Sequence, residues 1–92
     1  MISNQIKKFH YVYVLRSQKD GKLYVGYTND LKSRFEQHNK GQVISTKDRR
    51  PLELIYSEAC LDKHDAMHRE QYLKTHYGKQ FLRSRLKYYL TG

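Results

Sequence analysis

The 92-residue sequence has one cysteine, one proline and no tryptophan, and these scarcities exclude several classes of protein. With Cys60 alone, neither an intramolecular disulfide nor a zinc site built from paired cysteines can form. The apolar run at residues 11–15 is too short for a signal peptide or a membrane span. No repeat and no Pro- or Ser-rich linker interrupts the chain. We therefore expect one small domain that remains in a reducing cytoplasm.

Acidic residues are also scarce. Eighteen Lys and Arg residues stand against nine Asp and Glu residues, which gives a net charge of +9 and a pI near 9.7. Such an excess attracts polyanions, usually nucleic acid, with an affinity that falls steeply with salt. A membrane surface is a poorer partner, because no segment joins a basic face to a broad apolar one. Charge alone leaves open DNA, RNA or a basic protein with solvated faces.

The pattern of apolar residues and turn signals predicts an α+β fold. Residues 11–15 and 23–27 are rich in β-branched and aromatic residues and flank an Asp-Gly turn, so they predict an antiparallel hairpin. A third strand is expected at residues 52–59. Helices are expected at residues 30–39 with Gly41 as a left-handed cap, at residues 62–77 with a stop at Gly78, and at residues 79–89. The order ββαβαα predicts a three-stranded antiparallel sheet flanked by helices.

One carboxylate lies on the apolar face of the second predicted helix. Ala66, Leu73 and Tyr77 share a stripe at about 100° per residue, and Glu70 lies in its middle. A carboxylate that faces a core is costly unless it is paired, bound to a metal or open to a cleft. Glu70 is therefore either an ion-pair partner of an Arg from another element or a functional residue.

The first predicted helix has polar residues in a similar position. Leu31, Phe35 and His38 share one face, and Arg34 lies at its edge, one turn before His38. A guanidinium and an imidazole thus project together from a side that is otherwise apolar. A hydrogen-bonded core histidine and a functional pair are both compatible with this spacing.

Two tyrosines of the hairpin complete the set. If the hairpin loop holds an even number of residues, Tyr13 and Tyr24 point to the same face of the sheet. Ordinary core packing explains such a pair in most proteins. Here the two rings are expected to lie near Arg34, which follows the second strand after a tight turn.

These residues fall within three stretches that resemble the GIY-YIG nuclease family: YVYVL, KLYVGYTNDLKSRFEQH and HREQYLK. The chain is most similar to the small stand-alone bacterial members and, more distantly, to the N-terminal nuclease domain of an excision-repair enzyme. The resemblance covers residues 9–86. Residues 1–8 are expected to form a flexible basic tail, and residues 87–92 are the C-terminal end.

The resemblance implies phosphodiester hydrolysis assisted by one divalent metal ion, Mg²⁺ or Mn²⁺. Glu70 corresponds to the family carboxylate that holds the ion, and water fills the remaining positions. Tyr24 is the leading candidate for the general base, with Tyr13 positioning the water or the phosphate and His38 as another proton acceptor. The implied catalytic residues are Tyr13, Tyr24, Arg34 and His38.

The nucleic acid is expected to lie along the basic surface, with Gly26 allowing a phosphate or metal-bound water to approach the strand without a Cβ in the way. Further cations are present in the last helix. We predict a monomeric, metal-dependent DNA endonuclease that recognises distorted or damaged structures, as in DNA repair. A non-catalytic nucleic-acid-binding module and an RNA nuclease are the alternatives. The predicted nucleic-acid contacts are Gly26, Lys32, Lys47, Arg49, Arg50 and Lys74.

The sequence also departs from the family pattern in its half-motifs. The first, Tyr11-Val12-Tyr13, lacks the glycine that names it. After the second half-motif, Tyr27 stands where some members have a lysine. Neither change removes the implied metal ligand.

Overall fold

A computed structural model describes residues 7–92, so the predicted tail lies outside the described residues except for its last two. Within this range no helix is long and apolar enough to cross a membrane. The predicted α+β class with a three-stranded antiparallel sheet is confirmed. The elements are β1 (His10–Ser17), β2 (Leu23–Thr28), α1 (Leu31–Asn39), a 3₁₀ turn (Lys47–Arg49), β3 (Leu52–Cys60), α2 (Lys63–Leu73), α3 (His76–Arg85) and α4 (Lys87–Thr91).

The sheet has the strand order β2-β1-β3, with both neighbours antiparallel to β1. The hairpin register pairs Tyr13 with Gly26 and Leu15 with Tyr24. Because β1 is the central strand, it is covered on both faces, and this explains why its middle reads as an apolar run without alternation. β2 and β3 form the two edges of the sheet.

Each face of the sheet has its own apolar cluster. One face packs against α2 and α3, and the other packs against α1. The strand period of two divides consecutive β1 residues between these clusters. The first cluster is built on Val12, Val14, Val25, Ala66, Leu73 and Leu82. The second is built on Tyr13, Leu15 and Leu52, with Tyr24, Leu31, Phe35 and Leu54 packed against them.

The ends of α1 agree with the predicted caps. The Asp30 carboxylate accepts a hydrogen bond from the Ser33 backbone N–H at 3.2 Å, which satisfies one donor of the first turn. Gly41 has φ +75°, the left-handed conformation that commonly ends a helix. These two caps fix where α1 begins and ends, and so determine where its polar face meets the sheet.

The boundary between α2 and α3 differs from the prediction, which placed it at Gly78. α2 ends at Leu73, and Thr75 begins α3 by accepting a hydrogen bond from the Gly78 N–H at 3.2 Å. Gly78 lies inside α3, where a Cβ would come within 2.1 Å of the Tyr72 carbonyl oxygen. Glycine is therefore required by close packing rather than as a helix stop. Tyr77, expected on the buried stripe, is 70% exposed because it belongs to the new helix.

A second link in the fold joins the hairpin turn to the loop that follows α1. The Ser17 hydroxyl donates to the Arg49 carbonyl at 2.6 Å, and the Gln18 N–H donates to the Pro51 carbonyl at 2.8 Å. The Arg49 guanidinium also pairs with Asp20 at 3.4 Å. This loop is therefore held against the sheet at the end of β1.

Candidate functional site

A chain of hydrogen bonds lies on the α1 face of the sheet. The Tyr13 hydroxyl is 2.8 Å from His38 Nε2, and His38 Nδ1 is 2.7 Å from Thr46 Oγ1. All three side chains are buried, with at most 1% of their surface exposed. Arg34 Nε donates to the Tyr13 hydroxyl at 3.4 Å. Because a guanidinium has no acceptor, the tyrosine proton is directed to Nε2, and Nδ1–H donates to Thr46.

Burial determines the protonation of this chain. It lowers the pKa of His38 to about 4, and the positive charge of Arg34 adds to the effect. Burial also raises the pKa of Tyr13, partly opposed by its hydrogen bond from Arg34. Both rings are therefore neutral at neutral pH, with His38 as the acceptor and Tyr13 as the donor.

The second tyrosine lies beside this chain, as the predicted register requires. The Tyr24 ring centroid is 6.4 Å from that of Tyr13 and 5.3 Å from that of His38, which it meets edge-on. The prediction that Tyr13 and Tyr24 share one face of the sheet is confirmed. They differ in access, since Tyr13 is 1% exposed and Tyr24 is half-buried.

Gly26 has a packing role that the sequence did not reveal. It lies directly across the hairpin from Tyr13, and a Cβ at this position would be 2.4 Å from the Tyr13 hydroxyl oxygen. The missing side chain thus makes room for the tyrosine ring. Approach of a phosphate to Gly26 stays a prediction, whereas the space for Tyr13 is a requirement of the fold.

Glu70 lies on α2 with only 13% of its side chain exposed. Its Oε2 is 2.6 Å from Lys74 Nζ, and its Oε1 accepts a hydrogen bond from Gln71 at 3.1 Å. The alternative of a partner Arg from another element is therefore wrong, because the partner is a lysine one turn later on the same helix. Burial is the main cause of the raised Tyr13 pKa, and the charge of Glu70 is the smallest of the further causes.

The donor set at Glu70 suits a hard cation that keeps most of its water. Within residues 7–92 no group of three or more His, Cys, Asp and Glu side chains is positioned to hold a metal ion. Mg²⁺ is commonly held by one or two carboxylates with several waters. A single, largely buried carboxylate fits such an ion, provided that the Lys74 ammonium moves away from Oε2.

Apart from Gly26 and Lys74, the predicted nucleic-acid contacts fall into two groups of two residues each. Arg49 pairs with Asp20, and Arg50 Nε donates to the Lys47 carbonyl at 2.8 Å, so both arginines have intramolecular partners. The side chains of Lys32 and Lys47 are exposed. The two arginines hold the loop in place, and the exposed lysines are free to meet a phosphate.

Thr46 is the member of the buried chain that sequence reasoning missed. It lies in an irregular loop, where neither helical nor strand periodicity indicates burial, yet it is 0% exposed. The signal was indirect, since a buried His38 needs partners for both ring nitrogens. That requirement predicts a partner without saying which residue it is.

Comparison with known proteins identifies the family of the chain. The family model described as the GIY-YIG catalytic domain matches residues 9–88. The chain belongs to the GIY-YIG family. A UPF0213 protein of Staphylococcus aureus (strain Mu3) is 43% identical over 75 residues, covering 80% of this chain and 90% of the relative. The UPF0213 protein SAV0488 of Staphylococcus aureus (strain Mu50) shows the same identity and coverage.

A solved structure of another relative has the same fold. The solution NMR structure of a UPF0213 protein from Bacillus halodurans superimposes with a TM-score of 0.53 at 35% identity, covering 83% of each chain. The resemblance to small bacterial GIY-YIG proteins is thereby confirmed. The domain places this protein in a nuclease family, while the names of its relatives specify neither a substrate nor a metal.

Proposed function

We propose that this GIY-YIG protein is a metal-dependent endonuclease that hydrolyses DNA phosphodiester bonds at distorted or damaged sites. The observation that carries the proposal is the convergence of Arg34 and Tyr24 on the buried Tyr13–His38 pair, and the resemblance to the GIY-YIG family assigns the carboxylate to Glu70. This combination supplies a cation for a phosphate, a hydroxyl for an attacking water and a carboxylate for a metal. The net charge of +9 supports binding to the phosphate backbone, which carries no direct sequence information, and so favours recognition of shape over sequence.

Arg34 is held in a position suited to binding the scissile phosphate. Its Nε donates to Tyr13 and its Nη1 donates to Gln37 Oε1 at 3.0 Å, while Nη2 has no hydrogen-bond partner among residues 7–92. The side chain lines a surface depression of about 390 Å³ at the start of α1. Two anchored nitrogens and one free nitrogen give a guanidinium of fixed orientation, ready to stabilise charge that develops on a phosphoryl oxygen.

The two tyrosines have different roles in this proposal. Tyr24 is the half-buried one, so its hydroxyl is able to give its own proton to solvent and to accept a proton from the attacking water, as a general base does. Tyr13 and His38 are buried and act as positioning residues that hold Arg34 and the Tyr24 ring.

Glu70 would hold one Mg²⁺ or Mn²⁺, with waters in the other positions. When bound there, such an ion supplies Lewis-acid stabilisation of the charge on the phosphoryl oxygens. Lys74 Nζ lies 2.6 Å from Glu70 Oε2, and this ion pair must break before the oxygen can bind a metal ion. The released ammonium is then available for a DNA phosphate.

The test is cleavage of labelled linear, nicked, branched and single-stranded DNA at low salt with Mg²⁺, Mn²⁺ or EDTA. We expect metal-dependent cutting that falls at least about 100-fold in Glu70→Gln and in Arg34→Ala, the scale for loss of a group that stabilises the transition state. Glu36→Gln, a change in an exposed carboxylate of α1, is the matched control and should cut normally. Equal cutting in EDTA, or by Glu70→Gln, would contradict the proposal.

A second candidate is a nucleic-acid-binding module that keeps the fold without the chemistry. The Glu70–Lys74 ion pair favours it, because the carboxylate already has a cationic partner. This candidate predicts DNA binding that needs no metal and does not change in Glu70→Gln.

A further inference from the structure

A groove of about 620 Å³ runs along the free edge of β2, between this strand and the helices α2 and α3. Tyr24 is one of its lining residues, so the groove borders the residue that we propose as the general base. We call it the β2-edge groove. Its polar and glycine lining consists of Gly21, Lys22, Tyr24, Lys74, Lys79 and Arg83, and its apolar lining consists of Leu23, Val25, Leu73, Leu82 and Leu90.

The charge of the β2-edge groove has one sign. Of the residues that the structure describes, four cationic side chains line it and no Asp or Glu does. Among residues 7–92, Lys22, Lys79 and Arg83 form no ion pair, in contrast to Arg49, which pairs with Asp20. Lys79 and Arg83 are four apart on α3, a spacing at which like charges repel each other. Unpaired cations gathered beside one apolar floor are suited to an anionic ligand.

The combination of an apolar floor and a basic rim narrows the class of ligand. A free phosphate or a sulfate has no apolar surface to bury against leucine side chains. In a paired DNA duplex, the faces of the bases are stacked on one another and are not accessible. An unpaired nucleotide offers both a flat base to bury and phosphates that lysine and arginine bind. The contact of the groove with Tyr24 places such a nucleotide next to the proposed site of hydrolysis.

We infer that the β2-edge groove binds an unpaired nucleotide of a DNA strand adjacent to the scissile phosphate. This inference rests on the proposed function and names its substrate class: DNA with a single-stranded segment, such as a flap or an overhang, beside the bond that is cut. Arg83 and Lys79 bind the phosphates of that segment, and Leu90 lies under the base.

Binding without turnover tests the rim of the groove. Fluorescence anisotropy in EDTA compares a labelled duplex, the same duplex with a single-stranded flap, and a flap of RNA. We expect the double variant Lys79→Gln/Arg83→Gln to bind the DNA flap about tenfold more weakly, with a salt slope smaller by about 1.4, since two single-strand phosphate contacts are lost. Affinity for the plain duplex should change much less.

The matched control is Lys40→Gln/Lys63→Gln, which removes the same charge from two exposed lysines outside the groove. It should change affinity for the flap less than about twofold, the size of a distant, screened effect. Equal weakening by both double variants would show that net charge alone attracts the DNA, and would overturn the groove as a site.

The floor of the groove is tested by removing the base from the substrate. An abasic residue at the first unpaired position should weaken wild-type binding about fivefold or more, the scale of one stacked or buried base. In Leu90→Gln, with its fold verified by circular dichroism, the abasic and intact flaps should bind alike. A wild-type protein that does not distinguish the two flaps would overturn burial of a base.

The failure of this inference is distinguishable from the failure of the proposed function. Flap binding that depends on Lys79 and Arg83 without any cutting would support the groove and contradict the nuclease. If cutting needs Glu70 but Lys79→Gln/Arg83→Gln keeps the wild-type preference for the flap, the groove is overturned as a binding site. The proposed nuclease activity is then unaffected. A larger loss of affinity for the RNA flap than for the DNA flap would overturn DNA as the occupant.

Discussion

The two faces of the sheet bury different kinds of side chain. On the side of α2 and α3, the buried residues of the cluster are apolar, with Val12, Val14 and Leu73 at its centre. On the side of α1, buried Tyr13 is hydrogen-bonded to buried His38. Consecutive residues of β1 supply both layers, so a single strand joins the apolar core to the polar site.

This difference shows how a small domain can contain a polar site without losing its stability. Among residues 7–92, every buried side-chain nitrogen and oxygen has a hydrogen-bond partner. The polar layer therefore avoids the cost of unsatisfied groups, while the apolar layer supplies the favourable burial. Substitutions on the first face should act on stability, and those near Tyr24 should act on chemistry.

The largest effect on stability is expected on the apolar face. Leu73→Ala should lower the free energy of unfolding by about 3 kcal/mol, because Leu73 is fully buried and its truncation leaves a cavity. Urea unfolding followed by circular dichroism measures this change. Leu61→Ala, at a position that is 57% exposed, is the control and should stay within about 0.5 kcal/mol. Similar losses in both variants would contradict the assignment of the core.

Acid should lower the stability of the folded chain through the protonation of His38 on the polar face of the sheet. The unfolded chain takes up a proton at this residue near pH 6.5, whereas the folded chain does so only near its lowered pKa of about 4. Stability is therefore constant above pH 6.5 and falls as the pH drops through that window, by about 2 kcal/mol at pH 5. Urea titrations of wild type and His38→Gln measure it. The variant should lack this part of the dependence, and two parallel pH curves would show that His38 is not the group responsible.

The two tyrosines should separate stability from catalysis. Tyr13→Phe removes the donor to buried His38 Nε2 and should cost about 1–2 kcal/mol of unfolding free energy. Tyr24→Phe should cost less than about 0.5 kcal/mol, since Tyr24 is half-buried, yet it should abolish most of the cleavage. Unfolding and cleavage are measured on both variants. Normal cutting by Tyr24→Phe would remove Tyr24 from the role of general base.

The smallest expected effect concerns the ion pair at the edge of the apolar layer. Lys74→Met frees Glu70 and should raise its affinity for Mn²⁺ about threefold, the size of a partly exposed ion pair. Titration followed by the electron paramagnetic resonance of free Mn²⁺ measures affinity independently of activity. Lys63→Met, at an exposed lysine on the same helix, is the control. Weaker Mn²⁺ binding by Lys74→Met would show that the lysine supports the site.

The sequence predicted the elements whose causes are local. Asp30 and Gly41 lie at the two ends of α1 as expected, and the spacing of Tyr13 and Tyr24 placed both rings on one face of the sheet. The prediction failed where the packing of one helix against the next determines where an element ends. The α2 helix stops at Leu73 because Thr75 begins another helix that packs closely against it, and helical periodicity continues through that break.

The same distinction applies to the candidate site. Tyr13, Arg34 and His38 were predicted to lie together, and hydrogen bonds join them. Thr46 was not foreseen, because the partner of His38 Nδ1 comes from a loop without periodicity. The predicted roles of these side chains in hydrolysis remain predictions, to be tested by the cleavage experiments.

The link between Ser17 and Arg49 has a consequence for exchanging segments between relatives. The hairpin turn at the end of β1 and the loop that carries Thr46 are joined by the Ser17 hydroxyl, by Gln18 and by the Asp20–Arg49 ion pair. If either segment were transplanted alone into a homologous chain, these contacts would be broken. Thr46, the hydrogen-bond partner of His38, would then shift. In chimeric proteins, residues 17–20 and 46–51 therefore form one transferable unit, although about 25 positions separate them along the chain.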